Sequence, residues 1–244
     1  MIEKILIFSA FIVCGYLLGN ISFARIISKG MKNDITKLGS GNPGTMNVAR
    51  NFGFGMGLLN LILDVLKSVI PCLCAYFVAK TYFANLTNIL VYSTGLAVLI
   101  GNMFPVFYKF KGGKGVAVTL GMFAVLYPLW FAGFLLLGFV MIFTIKIGSL
   151  TSLTLILGLS IVGIVFNTSY VEIILICIIF ALILIAHRQN LVRLFSGKES
   201  KVDLLKKKNK KVDGSSTQSQ TNVENKTENE AENVEEKQQD NLND

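Results

Sequence analysis

Acidic residues are almost missing from the first 200 positions, which hold Glu3, Asp34, Asp64, Glu172 and Glu199 against fifteen Lys and Arg, a balance of +10. Histidine occurs once, as His187, and the four cysteines, Cys14, Cys72, Cys74 and Cys177, fall inside apolar runs without C-x-x-C spacing. One imidazole and no paired thiols leave nothing to build a metal site or a disulfide framework, so the cysteines are expected to act as small buried hydrophobes and no cofactor or metal is expected. A phosphate-binding P-loop, G-x-x-x-x-G-K-[ST], is also missing: Lys114 is followed by Gly115, with no hydroxyl for a magnesium ion, which excludes an ATPase of that kind. No A-x-A-like cleavage site follows "ILIFSAFIVCGYLLGN", and the stretch is too long and too lightly flanked for a cleaved signal peptide, so it is expected to remain as a span.

Apolar residues, by contrast, abound: they make up 52% of the 244 residues. The exception is the end of the chain, where "DGSSTQSQTNVENKTENEAENVEEKQQDNLND" has almost nothing to bury and cannot offset the entropy of ordering itself. Two parts are therefore expected: a membrane-embedded domain over residues 1–200 and a disordered charged tail over 201–244. Within the first part, apolar runs near the roughly 20 residues that span a bilayer recur, which predicts an all-α polytopic membrane protein. Spans are expected at 5–26, 54–79, 88–107, a short one at 116–127 ended by Pro128, then 129–145, 147–166 and 170–186. With seven spans and the N-terminus outside, Arg25, Lys29, Lys32, Lys37, Arg50, Lys109, Lys111, Lys114, Lys146, Arg188, Arg193 and the "KKKNKK" run all fall on the cytoplasmic side, leaving Lys4 and Lys80 outside. Six spans would put the last basic segment outside, against the preference of Lys and Arg for cytoplasmic loops. Inside the spans, Gly15 and Gly19 form a G-x-x-x-G packing signal, and Asp64 and Lys67, three apart, can pair on one helix face.

Three cytoplasmic segments hold the residues with chemistry. In "KLGSGNPGTMNVARNFG", "GSGNPG" matches G-x-G-x-x-G literally, but no strand precedes it, so a dinucleotide site is rejected. Gly39, Gly41 and Gly44 instead permit tight turns that expose N–H groups, while Ser40, Asn42, Asn47 and Arg50 add neutral donors and a fixed cation, a combination suited to an anion. In "FPVFYKFKGGKGVAV", Gly112, Gly113, Lys114 and Gly115 precede a helix N-terminus, where backbone N–H groups and the helix dipole favour a phosphate; Lys109 and Lys111 read as membrane anchors. In "AHRQNLVRLFSGKE", His187, Arg188, Asn190 and Glu199 begin where the last span meets the cytoplasm. Three anion-friendly segments on one membrane face imply one shared site.

Together, "LGSGNPGTMNVAR", "FPVFYKFKGGKGVAV" and "HRQNLVRLFSGKE" resemble the three signature segments of the bacterial acyl-phosphate:glycerol-3-phosphate acyltransferases, the PlsY family, over about residues 5–200. That resemblance implies seven spans in the bacterial plasma membrane, an outside N-terminus, a cytoplasmic site and C-terminus, and transfer of a fatty acyl group from acyl phosphate to the sn-1 hydroxyl of glycerol 3-phosphate, the first acylation of phospholipid biosynthesis. Carried over residue by residue, it implies catalytic roles for Ser40, Lys114 and His187. It also implies substrate binding by Asn42, Asn47, Arg50, Gly112, Gly113, Gly115, Ser149, Arg188, Asn190 and Glu199. Acyl phosphate, glycerol 3-phosphate and membrane lipids are the expected partners, with no nucleic acid and no protein partner.

Two positions depart from the family pattern. Asn102 in "GNMFP" stands where histidine is usual, and Met46 in "GTMN" where threonine is usual. Asparagine hydrogen-bonds but does not titrate near neutral pH, which fits an orienting role at 102 and not a catalytic one. The alternative from another class is a membrane transporter for an organic phosphate; it predicts functional charges near the midplane or on both faces, whereas here they crowd onto one face and no inverted repeat is evident. An acyl-CoA or acyl-carrier-protein enzyme of the soluble type would carry H-x-x-x-x-D, whereas His187 is followed by "RQNLV".

Overall fold

In the computed structural model, which describes residues 2–167 and 169–202, the chain is all helical among the described residues. Helix α1 (Ile2–Gly19) breaks at Asn20–Ser22 and resumes as α2 (Phe23–Gly30); α3 (Thr45–Phe52) and α4 (Phe54–Tyr82) follow, then α5 (Thr87–Met103), α6 (Val116–Leu126), α7 (Pro128–Thr144), α8 (Gly148–Phe166), α9 (Tyr170–Ala186) and α10 (Arg188–Phe195). Each expected apolar run is matched by a helix, with two differences. The first run does not continue to residue 26, because Asn20 turns its side chain on the chain itself, donating to Tyr16 O at 2.6 Å and accepting from the Val106 N–H at 2.6 Å. The third stops at Met103, before Pro105, and continues as a 3₁₀ turn over Val106–Tyr108.

Four segments are long and apolar enough to cross a membrane, Ile2–Gly30, Phe54–Tyr82, Ala84–Tyr108 and Gly148–Phe166, and a fifth if Tyr170–Ala186 and Arg188–Phe195, bent by 63° at His187, count as one. Helices α6 and α7 are shorter. Large apolar side chains lie open on the outer surface, Leu129 at 84% and Leu136 at 67% exposure, as lipid contact requires and water would not tolerate in such numbers. Cys72 is buried as expected, but Cys14, Cys74 and Cys177 sit on these outward faces and not in the interior.

Helix α5 is the centre, flanked by α1, α4, α6 and α9, and its buried residues run from Leu90 to Met103. The expected G-x-x-x-G packing is formed against it. A Cβ on Gly15 would lie 3.0 Å from Thr94 O, one on Gly19 would strike Val98 O, and one on Gly101 of α5 would strike Tyr16 O, so the two backbones touch through glycines on both sides. At the start of α5 a polar cluster closes the core: Asn167 donates to Tyr92 Oη (3.0 Å), Tyr127 Oη (2.8 Å) and Gly163 O (2.6 Å), and Asn88 donates to Asn167 (3.1 Å). At the other end of α5 the interior opens into the cavity described below.

The described chain belongs to one compact unit, Met1–Lys206. Packing continues to Val202, which is buried and donates its N–H to Lys146 O at 2.7 Å. The expected disordered tail lies, from residue 203 onward, outside the described residues.

Gly101→Val is expected to wedge α1 from α5 and to cost about 1–3 kcal/mol, read as an earlier thermal unfolding of the detergent-solubilised protein.

Candidate active site

The first loop is shaped by one asparagine. Asn47, buried on α3, accepts the Ser40 N–H at 3.1 Å through Oδ1, and its Nδ2 donates to Leu38 O (2.9 Å) and Ile35 O (3.2 Å). Gly39 and Gly41 take positive φ values of 54° and 69° beneath it. The Asn47 amide thus holds the loop in shape at the edge of the cavity described below. Ser40 is left exposed at the loop's edge and Arg50 projects from the last turn of α3, where its Nη2 donates to Ser200 Oγ at 3.2 Å.

The glycine loop has its own steric logic. Lys109 and Phe110 both adopt left-handed conformations, with φ of 53° and 58°, and the chain then runs straight back along the end of α5: Gly113 N–H donates to Asn102 O at 2.9 Å and Gly112 N–H to Met103 O at 3.1 Å. A Cβ on Gly112 would strike Asn102 O, and one on Gly115, at φ 82°, would strike Leu99. These two glycines are thus required by the close backbone approach that sets Lys114 at the start of α6. Arg25, which sequence reasoning did not single out, clamps the loop from α2: its guanidinium lies 4.5 Å above the Tyr108 ring and donates to Lys111 O at 2.7 Å. No local pattern links positions so distant in the chain.

The third segment gathers around Glu199. Its Oε1 accepts from Asn190 Nδ2 (2.6 Å) and from Ser149 Oγ (2.9 Å) at the start of α8, and its Oε2 pairs with Arg193 Nε at 2.7 Å. Asn190 Oδ1, on the opposite side of the amide, accepts from Lys114 Nζ, so the carboxylate on the last segment orients the lysine of the second through one asparagine. Burial pushes the Glu199 carboxyl up, but the hydrogen bonds from Asn190, Arg193 and Ser149 outweigh it and hold the group below its ordinary range. Burial brings Lys114 down to about 8, with Glu199 opposing the shift, so it remains a cation at neutral pH.

His187 caps α9 at the bend into α10 and places Nδ1 2.9 Å from Ile183 O. A carbonyl can only accept, so Nδ1 carries the proton and Nε2 presents a lone pair. Burial first, and then the charge of Lys114, takes His187 down to about 4, which keeps the ring neutral.

Ser40, Asn42, Asn47, Arg50, Gly112, Gly113, Lys114, Gly115, Ser149, His187, Arg188, Asn190 and Glu199, from segments far apart in the chain, all line one cavity of about 1110 Å³. Leu58, Leu61, Leu120, Leu135, Phe139 and Leu155 add apolar surface to its lining. Such a space accepts an anionic group at one side and a long hydrocarbon at another. Lys109 and Lys111 reach its rim as exposed side chains, and Met46 lies against Gly148, a carbon of its side chain 2.9 Å from where a Cβ there would sit. Among the described residues no cluster of His, Cys, Asp and Glu could hold a metal ion.

The family described as glycerol-3-phosphate acyltransferase matches residues 9–197. A glycerol-3-phosphate acyltransferase of Thermotoga petrophila is 38% identical over 199 residues, 81% of this chain and 97% of that one, and one of Mycoplasmopsis pulmonis is 46% identical over 117 residues, 48% of this chain and 52% of that one. A crystal structure of PlsY (YgiH), an integral membrane glycerol 3-phosphate acyltransferase, in its glycerol 3-phosphate form superposes with a TM-score of 0.73 at 34% identity, covering 81% of this chain and 96% of that one. The lysophosphatidic acid form of the same protein gives 0.69.

Sulfate, which does not titrate in this range, is expected to bind more weakly by about tenfold as the pH rises through about 8 and Lys114 loses its charge. Arg50 keeps its charge throughout, so binding persists at a lower level. Lys114→Arg should flatten that dependence, as measured by calorimetric titration between pH 6 and 10.

Proposed function

The chain belongs to the glycerol-3-phosphate acyltransferase family, and we propose that it uses acyl phosphate as donor, transferring the fatty acyl group to the sn-1 hydroxyl of glycerol 3-phosphate to give lysophosphatidic acid and phosphate. It is a multi-pass membrane acyltransferase that acts on glycerol 3-phosphate. The observation that carries the reading is the shared cavity, lined both by cations and hydrogen-bond donors and by large apolar side chains.

Acyl phosphate is a mixed anhydride with a good leaving group, so positioning two anions and stabilising developing charge supply most of what the reaction needs. The acceptor hydroxyl oxygen attacks the acyl carbonyl carbon, the bond from that carbon to the phosphate oxygen breaks, and phosphate departs with the electron pair. Arg50 and Lys114 hold phosphates; the Gly112 and Gly113 N–H groups are taken by Met103 O and Asn102 O, so those glycines serve by letting the loop run close along the end of α5 and set Lys114 beside the substrates. Ser40, Asn190 and His187 orient the glycerol and the acyl carbonyl. Asn42 and Arg188 support the phosphates, while Ser149 and Glu199 fix Asn190 and hence Lys114. The hydroxyl proton goes to a substrate phosphate oxygen or to Nε2 of His187, whose neutral ring is free to accept it. Helices α1, α4, α5, α7, α8 and α9 cross a bacterial plasma membrane, with α6 as a short seventh span that has an end below the headgroups, the N-terminus outside and the site on the cytoplasmic face. The crowding of Lys and Arg between alternate helices and after α9 supports that orientation.

Purified protein given glycerol 3-phosphate is expected to form lysophosphatidic acid from acyl phosphate and not from acyl-CoA. Ser40→Ala, Lys114→Ala and His187→Ala should each lower kcat/KM by about 100-fold without an earlier unfolding transition. Product from acyl-CoA alone would remove the proposed donor, and near-normal rates in all three variants would remove the assigned residues.

A further inference from the structure

Deep in α4, Asp64 and Lys67 form the ion pair expected from their spacing, at 2.9 Å, and both are buried. An ion pair in such a place is a weak source of stability, since desolvation offsets most of the attraction. What distinguishes this one is the company it keeps. Lys67 Nζ also donates to Ile21 O (2.7 Å) and Gly19 O (3.4 Å) in the break between α1 and α2, and to Asn102 Oδ1 (2.8 Å) at the end of α5. On the other side Asp64 Oδ2 accepts from Asn60 Nδ2 at 2.8 Å, and the same Nδ2 lies 3.1 Å from Thr45 Oγ1 at the start of α3. One buried pair is thereby joined to the break between α1 and α2 and to two of the segments that bound the cavity, the end of α5 and the start of α3.

The orientation of Asn102 follows from this. An ammonium group only donates, so the amide must turn Oδ1 to Lys67 and leave Nδ2 facing the other way. That nitrogen lies 3.2 Å from where a Cβ on Gly113 would sit, and Asn102 O is the acceptor of the Gly113 N–H. Asn102 is therefore held by Lys67 from one side and carries the glycine loop on the other.

We propose that Asp64 and Lys67 are positioning residues for acyl transfer: through Asn102 they set the glycine loop, and with it Lys114, and through Asn60 and Thr45 they set the start of the helix that bears Arg50. Lys67 is the hub, and Asn102 supplies an acceptor for its ammonium group. This rests on the acyl-transfer reading for its kinetic consequence, whereas the order of the loop can be read independently.

The experiment combines kinetics with amide hydrogen exchange. The double variant Asp64→Leu/Lys67→Met removes both charges together and leaves no unpaired ion, so the fold is expected to persist. Peptides covering residues 102–115 should exchange faster while those from α5 and α8 do not, and kcat should fall by about 100-fold with a smaller change in KM. Asn102→Ala, which keeps the ion pair, should lower kcat similarly, and adding it to the double variant should cost nothing more, because all three residues act along one route. Unchanged loop exchange in both variants, or kinetic losses that multiply, would overturn the proposal, and so would a double variant that cannot fold beside an Asn102→Ala protein with normal kcat and exchange. If the unsubstituted protein makes no lysophosphatidic acid from acyl phosphate, the donor assignment falls and the exchange of the 102–115 amides still decides the positioning.

Discussion

Hydrocarbon offers no partner to an N–H, a carbonyl or a charge, and the arrangement of this molecule follows from that constraint. Two groups of polar side chains stand out within the apolar region. At one end of α5, Asn88, Tyr92, Tyr127 and Asn167 satisfy one another; at the other, Asp64, Lys67, Asn102 and the turned-in carbonyls of residues 19 and 21 do the same. Where the chain interrupts a helix, at Asn20–Ser22 and again at residues 104–115, the freed backbone groups are met by side chains or by the neighbouring helix end. The site is thus assembled from interruptions that the medium would otherwise forbid.

That origin explains why the same glycines serve packing and chemistry at once. Gly112 and Gly115 are fixed by Asn102 and Leu99, whatever ligand the cavity holds, and the resulting turn leaves Lys114 at the start of α6 with Asn190 as its acceptor. Lys114 and Glu199 do not touch, yet they are tied through one amide, so the charge of each helps to fix the other's geometry without an ion pair that would consume the lysine. A lysine so held keeps its remaining donors for an anion.

Much of this was legible in the order of residues. Because in lipid each span must close its own hydrogen bonds, runs of apolar side chains located the long helices to within a few residues, apart from the first, which stops at Gly19 and not at 26, and Pro128 divided α6 from α7 as its missing N–H dictates. That the three motif segments would meet was legible from their predicted common face, and they line one cavity. The rest depended on contacts between distant positions. Arg25 on Tyr108, Ser149 on Glu199 and Lys67 on Asn102 have no periodic or local signature. The bonds by which Asn47 ties its loop together had no signature either, because a polar residue in a glycine-rich loop has the same composition whichever way it faces. Three of the four cysteines misled, since a thiol in an apolar run reads alike on a lipid-facing and an inward face.

Helix α6 has eleven residues and so rises only about 16 Å, roughly half the thickness of a bilayer's hydrocarbon. Enclosed by its neighbours, it cannot reach both surfaces, and at least one of its ends lies below the plane of the headgroups. A fatty chain carries about 0.8 kcal/mol for every methylene drawn out into water. With a reaction centre recessed beside so short a helix, a long-chain donor keeps most of its tail among other tails from arrival to departure, and the molecule that makes the journey between phases is the small, water-soluble one.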